Sequence, residues 1–221
     1  MVTKKKKSYI FLEVGTHSLK KTNEFYYSNH KFTDLPNKEW KIYLFEPNPF
    51  RIPLLKKEIL LSDIPNIIFY PKAVLDYNGK TNLFLGNNKT SESSTLFKRK
   101  RLHINYNNVE EVECIDFDKW IRNNLQKEDY IYMHMDIEGA EYIVLPEMIK
   151  KGSIHYINKM DIELHFMKFK GEVNLKFEKI HNKIREFFDT FNEKYKFHFI
   201  KIRNRPHKQL VHYRLEQVKN I

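Results

Sequence analysis

The sequence predicts an open α/β fold, with a mostly parallel central sheet and helices on both faces, and three observations carry that expectation. Residues 9–14, 40–45 and 130–135 are short, largely apolar runs of the kind that fills the middle of a parallel sheet. A stretch with helical spacing follows each of them. Each run also ends beside an acid, namely Glu13, Glu46 or Asp136, and the carboxyl edge of such a sheet is where ligands bind.

The elements follow in order. The first strand runs into Gly15-Thr16-His17, where glycine lets a ligand approach the backbone closely. This loop lacks both the G-x-G-x-x-G dinucleotide fingerprint and the P-loop lysine, which argues against a nicotinamide cofactor and a nucleoside triphosphate. The second strand stops at Glu46 because Pro47 removes an amide donor and biases Glu46 towards an extended conformation, so its carboxylate projects from the strand tip. Residues 49–61 read as a helix, 67–70 as a strand, and 81–85 as a short strand after the Asn78-Gly79 turn. Residues 86–101 are polar and irregular, and a loop of that length marks a functional segment placed to close over the site. A strand at 109–114 and a helix at 116–125 with Asp116 as N-cap precede the strand at 130–135. After a helix at 140–149 and a strand ending at Asp161-Ile-Glu-Leu-His165, a long amphipathic helix spans 174–192, and strands at 197–202 and 209–215 complete the chain. No repeat or linker interrupts this order, so a basic tail at 1–8 and one domain at 9–221 are expected.

Asp136-Ile-Glu138-Gly-Ala-Glu141 is the most informative stretch, because it puts three carboxylates where a buried strand turns into a helix. Glu138 and Glu141 have an ordinary explanation, as each complements the positive end of the following helix for roughly 0.3–1 kcal/mol. For Glu141 that explanation outranks a catalytic role. Asp136, at the strand end itself, is the stronger site candidate. Glu46 occupies the equivalent position on the second strand, and its two oxygens suit the paired hydroxyls of a ribose. Strand, helix and acid-tipped strand together point to an S-adenosylmethionine site.

These residues resemble the FkbM-type methyltransferases, S-adenosylmethionine-dependent O-methyltransferases of the Rossmann-like class. The resemblance rests on Phe11-Leu-Glu13-Val-Gly15-Thr16, Phe45-Glu46-Pro-Asn48-Pro, Ala73-Val-Leu-Asp76 with Asn78-Gly79, and Ser93-Ser94-Thr95-Leu96. Asp136-Ile-Glu138-Gly139-Ala140-Glu141 is its most specific part, and Asp161-Ile-Glu-Leu-His165 extends it into the last third. It implies a class I methyltransferase fold with an antiparallel closing strand pair. It places Glu13, Gly15 and Thr16 near the methionine portion of the cofactor, Glu46 and Asn48 at the ribose, and Ala73 and Val74 against the adenine, with Asp76 a weaker candidate there. His17, Ser93 and Ser94 are assigned to the acceptor side, and the implied acceptor is a hydroxyl, foremost on a sugar of a glycan or glycoside.

Methyl transfer asks little of a protein beyond positioning, which is worth roughly 7–11 kcal/mol in favourable cases. A sugar hydroxyl is weakly acidic, so a base that removes its proton adds typically ~10²–10⁴-fold. Asp136 and His165 are the candidates, the histidine being expected near a neutral pKa, with Glu138 as an alternate base or orienting group. Asp136, Glu138 and His165 also offer oxygen and nitrogen ligands for a divalent metal, although nothing in their spacing requires one.

The net charge of +11 invites a nucleic-acid partner, as in an RNA ribose or cap methyltransferase. Its makeup of 31 Lys against 8 Arg weakens that reading, since Arg is favoured for bidentate phosphate recognition. The patch Lys98-Arg-Lys-Arg101-Leu-His103 reads as a solvated loop before it reads as an anion site, and the Lys4–Lys7 run as a solvated tail. A non-catalytic binding subunit would be expected to lose its cofactor contacts, yet Glu46 and Asp136 are both retained. The lone Cys114 reads as a small core residue. No apolar run is long enough for a membrane helix, and the basic start leads into a strand, not a signal-peptide core, so a cytoplasmic location is expected.

Overall fold

The computed structural model describes residues 7–28, 33, 35, 39–98, 104–169, 171–190, 195–200 and 211–217. Strand β1 (Tyr9–Val14) leads to α1 (Lys20–Tyr27), β2 (Trp40–Phe45), α2 (Ile52–Leu61), β3 (Ile67–Tyr70), β4 (Ala73–Leu75), β5 (Gly79–Gly86) and β6 (Ile104–Asp116). Then come α3 (Phe117–Asn124), β7 (Tyr130–Met135), α4 (Glu141–Lys151), β8 (Lys159–Leu164), α5 (Glu172–Thr190), β9 (Tyr195–Ile200) and β10 (Val211–Gln217).

Seven strands form the main sheet in the order β3-β2-β1-β7-β8-β10-β9. Neighbours from β3 to β8 are parallel, while β10 runs antiparallel to both β8 and β9. This is the mostly parallel sheet with a closing antiparallel pair that the family resemblance implies. The chain leaves β1 towards β2 and β3 and returns on the other side through β7, so the crevice above β1 and β7 is a topological switch point. Register makes that crevice level: Val14 lies opposite both Phe45 and Met135. The next residues, Gly15, Glu46 and Asp136, therefore leave the sheet side by side.

Strand alternation decides which side chains face which layer. Ile10, Leu12, Val14, Met133 and Met135 pack with Phe117 and Trp120 of α3, Tyr142 of α4 and Phe177 of α5. The opposite face sets Phe11, Ile42, Leu44 and Tyr132 against Phe25 of α1 and Leu55 of α2, with Phe11 and Phe25 stacked at 4.1 Å. Burying one such ring is worth about 1.5–3 kcal/mol. A second sheet, β4-β6-β5, stands over the carboxyl edge, tied to the start of α4 by a small cluster of Ala73, Leu75, Leu83, Leu85, Val112, Cys114 and Ala140.

The differences from sequence expectation have local causes. Helix α2 begins at Ile52, three residues later than expected, because Asn48 to Arg51 form a turn in which the Asn48 carbonyl accepts the amides of Arg51 and Ile52. Strand β6 is far longer than 109–114, since its pairing with β5 extends to Ile104 and draws polar residues into a ladder whose outer face is exposed. Asp116 caps α3 as expected, accepting the Lys119 amide. The closing strands lie about two residues from their expected bounds, at Tyr195–Ile200 and Val211–Gln217. The tail at 1–6 and positions 99–103 of the basic patch lie outside the described residues. Among the described residues, no helix is long and apolar enough to cross a membrane.

Gly15 is the position where the fold admits least. Its φ is +95°, and a Cβ there would sit 1.9 Å from the Asp136 carbonyl oxygen. Gly171 has a similar backbone, with φ +66°, but no atom within 4 Å of its Cβ position. Gly171→Ala should therefore cost only strain, of order 1 kcal/mol, whereas Gly15→Ala should add an overpacking term of about 1–3 kcal/mol. Urea unfolding midpoints of the two variants compare them directly.

Candidate functional site

A cavity of about 1260 Å³ opens at the carboxyl ends of β1, β2 and β7. Glu13, Gly15, Glu46, Asp136 and Glu163 form its floor, Ala73, Val74 and Leu83 one wall, and the segment from Asn87 to Leu96 its roof. The sequence-derived candidates His17, Ser93, Ser94 and Glu138 also line it. Thr16 and Asn48 lie beside it and serve the backbone. The Thr16 hydroxyl donates to the Glu13 carbonyl at 2.9 Å, and the Asn48 side chain reaches the Lys89 carbonyl at 2.8 Å and the Ser94 hydroxyl at 3.1 Å while accepting the Phe50 amide. Asp76 is exposed at the end of β4.

Two acids on the floor are held uncharged by burial. Glu46 is 7% exposed, and its Oε1 accepts the Asn48 amide at 2.8 Å. Burial pushes its pKa up to about 8, against the opposing effects of that hydrogen bond and of Arg51. Glu13, which accepts a hydrogen bond from the Thr22 hydroxyl of α1, is likewise raised to about 8, mainly by burial.

The turn after β7 is built around Glu141. Its carboxylate is fully buried and accepts the amides of Ile137 at 3.0 Å and Gly139 at 2.7 Å, so it closes the turn instead of capping the first amides of α4. Its Oε1 also lies 2.8 Å from His165 Nδ1. Glu138 sits at φ +52°, a left-handed conformation costing about 1–3 kcal/mol that must be held from outside. The Thr95 hydroxyl holds its carbonyl at 2.7 Å and Lys168 its carboxylate at 2.9 Å. Gly139 follows at φ +112°, where a Cβ would fall 2.4 Å from the Phe169 ring.

His165 brings the strand ends together. Its Nε2 lies 3.0 Å from Glu163 Oε1, 3.4 Å from Asp136 Oδ1 and 3.9 Å from Glu138 Oε1. Burial alone would lower its pKa, but Glu141 and Glu138 outweigh it and push the imidazole up to about 10. The near-neutral histidine expected from sequence is thus an imidazolium in this setting. Asp136 goes up to about 7, through burial first, with His165 opposing and Glu163, Glu138 and Glu141 adding to the rise. Of the two expected bases, Asp136 has the pKa that suits proton uptake near neutrality.

The roof is pinned at three points. His17 Nε2 meets the Thr90 carbonyl at 2.7 Å, Asn48 holds Lys89 and Ser94, and Thr95 pairs with Phe84 through both backbone bonds while its hydroxyl binds Glu138. Ser91 and Ser93 hydroxyls are 3.2 Å apart on this roof.

A family model of the methyltransferase FkbM domain matches residues 13–202. The chain belongs to the FkbM methyltransferase family. S-adenosylmethionine, the cofactor that the resemblance implies, is the methyl donor of this family. The FkbM methyltransferase from Methylobacillus flagellatus KT superposes with a TM-score of 0.51 at 11% identity, covering 94% of this chain and 43% of that one. The present chain thus spans less than half the length of that relative. A candidate methyltransferase from Streptococcus mutans in complex with SAH has a TM-score of 0.48 at 9% identity, covering 96% of this chain and 90% of that one. The fibrillarin pre-rRNA processing protein of Methanococcus jannaschii scores 0.46 at 11% identity, covering 96% and 67% of the two chains. No curated protein sequence matches the chain.

Sequence reasoning missed several residues of the FkbM domain's cavity. Lys168 lies in a short 3₁₀ turn after His165, where no periodicity marks it. Glu163 was legible only as part of a motif, although it lies two positions beyond the Asp161–His134 pairing and hence level with Asp136. Alternation along β7 finds His134, two positions before Asp136 and on the same face of the sheet; it lies 3.9 Å from Asp161.

The buried acids give the domain a pH signature. For Glu13 the folded pKa of about 8 exceeds the ordinary value of 4.5, so its stabilising uncharged form is complete below about pH 4.5 and lost as pH rises through about 8. Urea midpoints should therefore fall between about pH 5 and about pH 9, and Glu13→Gln should shrink that fall and stabilise the protein at the alkaline end.

Proposed function

We propose that this chain is a cytoplasmic S-adenosylmethionine-dependent O-methyltransferase whose acceptor is a hydroxyl on a sugar of a glycan or glycoside. The observation that carries the reading is the level row of Gly15, Glu46 and Asp136 at the switch point, facing one cavity under a hydroxyl-rich roof.

The residues fit the cofactor. The cavity exceeds the roughly 300–1,000 Å³ typical of ligand pockets, which leaves room for an acceptor as well. Glu46 has Oε1 engaged by Asn48 and Oε2 without a partner among the described residues, so that oxygen hydrogen-bonds a ribose hydroxyl. Ala73 and Val74 supply an apolar wall for the adenine, and Gly15, with Glu13 and Thr16 holding its turn, admits the methionine end close to the backbone. S-adenosylmethionine supplies a methyl group activated by its sulfonium.

The chain's own groups do the rest. Asp136 takes the acceptor proton, and the His165 imidazolium beside it holds Asp136 as a carboxylate until that proton arrives. Glu138, oriented by Lys168 and Thr95, fixes the turn and accepts from a neighbouring acceptor hydroxyl. His17, Ser93 and Ser94 face the acceptor from the roof side. Donors and acceptors of this kind match the dense hydroxyls of a sugar better than an apolar ring.

A radiolabelled methyl-transfer screen tests the reading. Oligosaccharide acceptors should give product, and Asp136→Asn should lower the rate by ~10²–10⁴-fold. Ribose methylation of RNA, weakening steeply with added salt and absent with oligosaccharides, would overturn the acceptor assignment.

A further inference from the structure

The cluster at the ends of β7 and β8 holds more than a proton-transfer group needs. His165 is 1% exposed and its Nε2 pairs with Glu163 Oε1 at 3.0 Å, whereas the Asp136 Oδ1 it also faces is sealed from solvent and makes no hydrogen bond among the described residues. A buried polar atom of that kind costs about 1–3 kcal/mol unless something satisfies it. Three carboxylates, from Glu163, Asp136 and Glu138, converge on this one nitrogen within 3.9 Å. From behind, Glu141 Oε1 holds Nδ1 at 2.8 Å. A carboxylate on one ring nitrogen, fixing the other towards a ring of oxygen donors, is the outer-shell arrangement that orients a metal-ligating histidine.

We propose that His165 Nε2, Asp136 Oδ1 and Glu163 Oε1 form a binding site for one divalent transition-metal cation of the manganese-to-zinc series. Bonds of about 2.0–2.2 Å at angles between octahedral and tetrahedral separate neighbouring ligand atoms by about 3.0–3.5 Å. The Nε2 distances of 3.0 Å to Glu163 and 3.4 Å to Asp136 match that spacing before any adjustment. One imidazole with carboxylates selects this class over calcium, which takes six or more oxygens. Glu138 stands further off, with the Lys168 ammonium at 2.9 Å from it and at 3.8 Å from Glu163, so Glu138 flanks the site without completing it. Asp136 and Glu163 both line the cavity, which gives the ion an entry path and leaves its remaining positions open to a ligand oxygen. Binding exchanges the Nε2 proton for the cation, whose positive charge replaces that of the imidazolium beside Asp136, and releases that proton to solvent. The cation's role in activating an acceptor hydroxyl rests on the methyltransferase reading, whereas its binding does not.

Chelator-stripped protein titrated with MnCl₂, with free Mn²⁺ followed by electron paramagnetic resonance and ZnCl₂ as a competitor, tests the site. One ion per chain is expected, with binding weakened at least tenfold in Asp136→Asn and in Glu163→Gln, and by ~10–100-fold in Glu141→Gln. Melting curves verify that each variant is folded, and the partly exposed Asp136 serves as the readout if the Glu141 variant is not. No saturable ion on folded wild-type protein, or binding indifferent to Asp136→Asn and Glu163→Gln, overturns the proposal. S-adenosylhomocysteine binding measured on the same samples separates the two readings: protein that binds it but takes up no Mn²⁺ leaves the methyltransferase reading intact and overturns the metal site, whereas protein that takes up Mn²⁺ but does not bind it does the reverse.

Discussion

The buried carboxylate of Glu141 is the constraint on which the candidate site depends. It closes the turn after β7 through the amides of Ile137 and Gly139 and grips His165 at the end of β8. Two strand ends are locked to each other by one side chain that solvent does not reach. Removing one partner from such a buried charged pair typically costs about 3–5 kcal/mol. The left-handed Glu138, the close packing of Gly139 on Phe169 and the placement of Asp136 all sit within the turn that this carboxylate holds.

The roof depends on the same turn. Thr95 joins the polar segment above the cavity to the Glu138 carbonyl, while Asn48 and His17 fasten its other end to the loops after β2 and β1. The ends of β1, β2 and β7, which contribute to the floor, also anchor the roof. A ligand that enters meets a preformed enclosure, which reduces the ordering cost of binding.

Much of this was legible in the sequence because the determining signals are local. Apolar runs ending at Glu13, Glu46 and Asp136 gave β1, β2 and β7, and the proline after Glu46 fixed where β2 stops. Motif resemblance located the acids at the strand tips. What escaped was long-range. Asn48 and Thr16, which resemblance assigns to the ligand, also brace the loops around it, through partners that lie across a turn or in a distant loop. The sequence alone leaves His165 near a neutral pKa, since Glu141 and Glu138 are gathered around it only by folding. Lys168 carries no pattern of its own, and β6 exceeds its apolar stretch because pairing with β5, not hydrophobic alternation, sets its length.

The central claim is that the level row of Gly15, Glu46 and Asp136 frames a binding site for S-adenosylmethionine. Calorimetric titration of the purified protein with S-adenosylhomocysteine, repeated on Glu46→Ala, tests it most directly. The account predicts saturable one-to-one binding by the wild type and its loss in a variant that still melts cooperatively. Absence of binding by folded wild-type protein, or binding unchanged by Glu46→Ala, would contradict it.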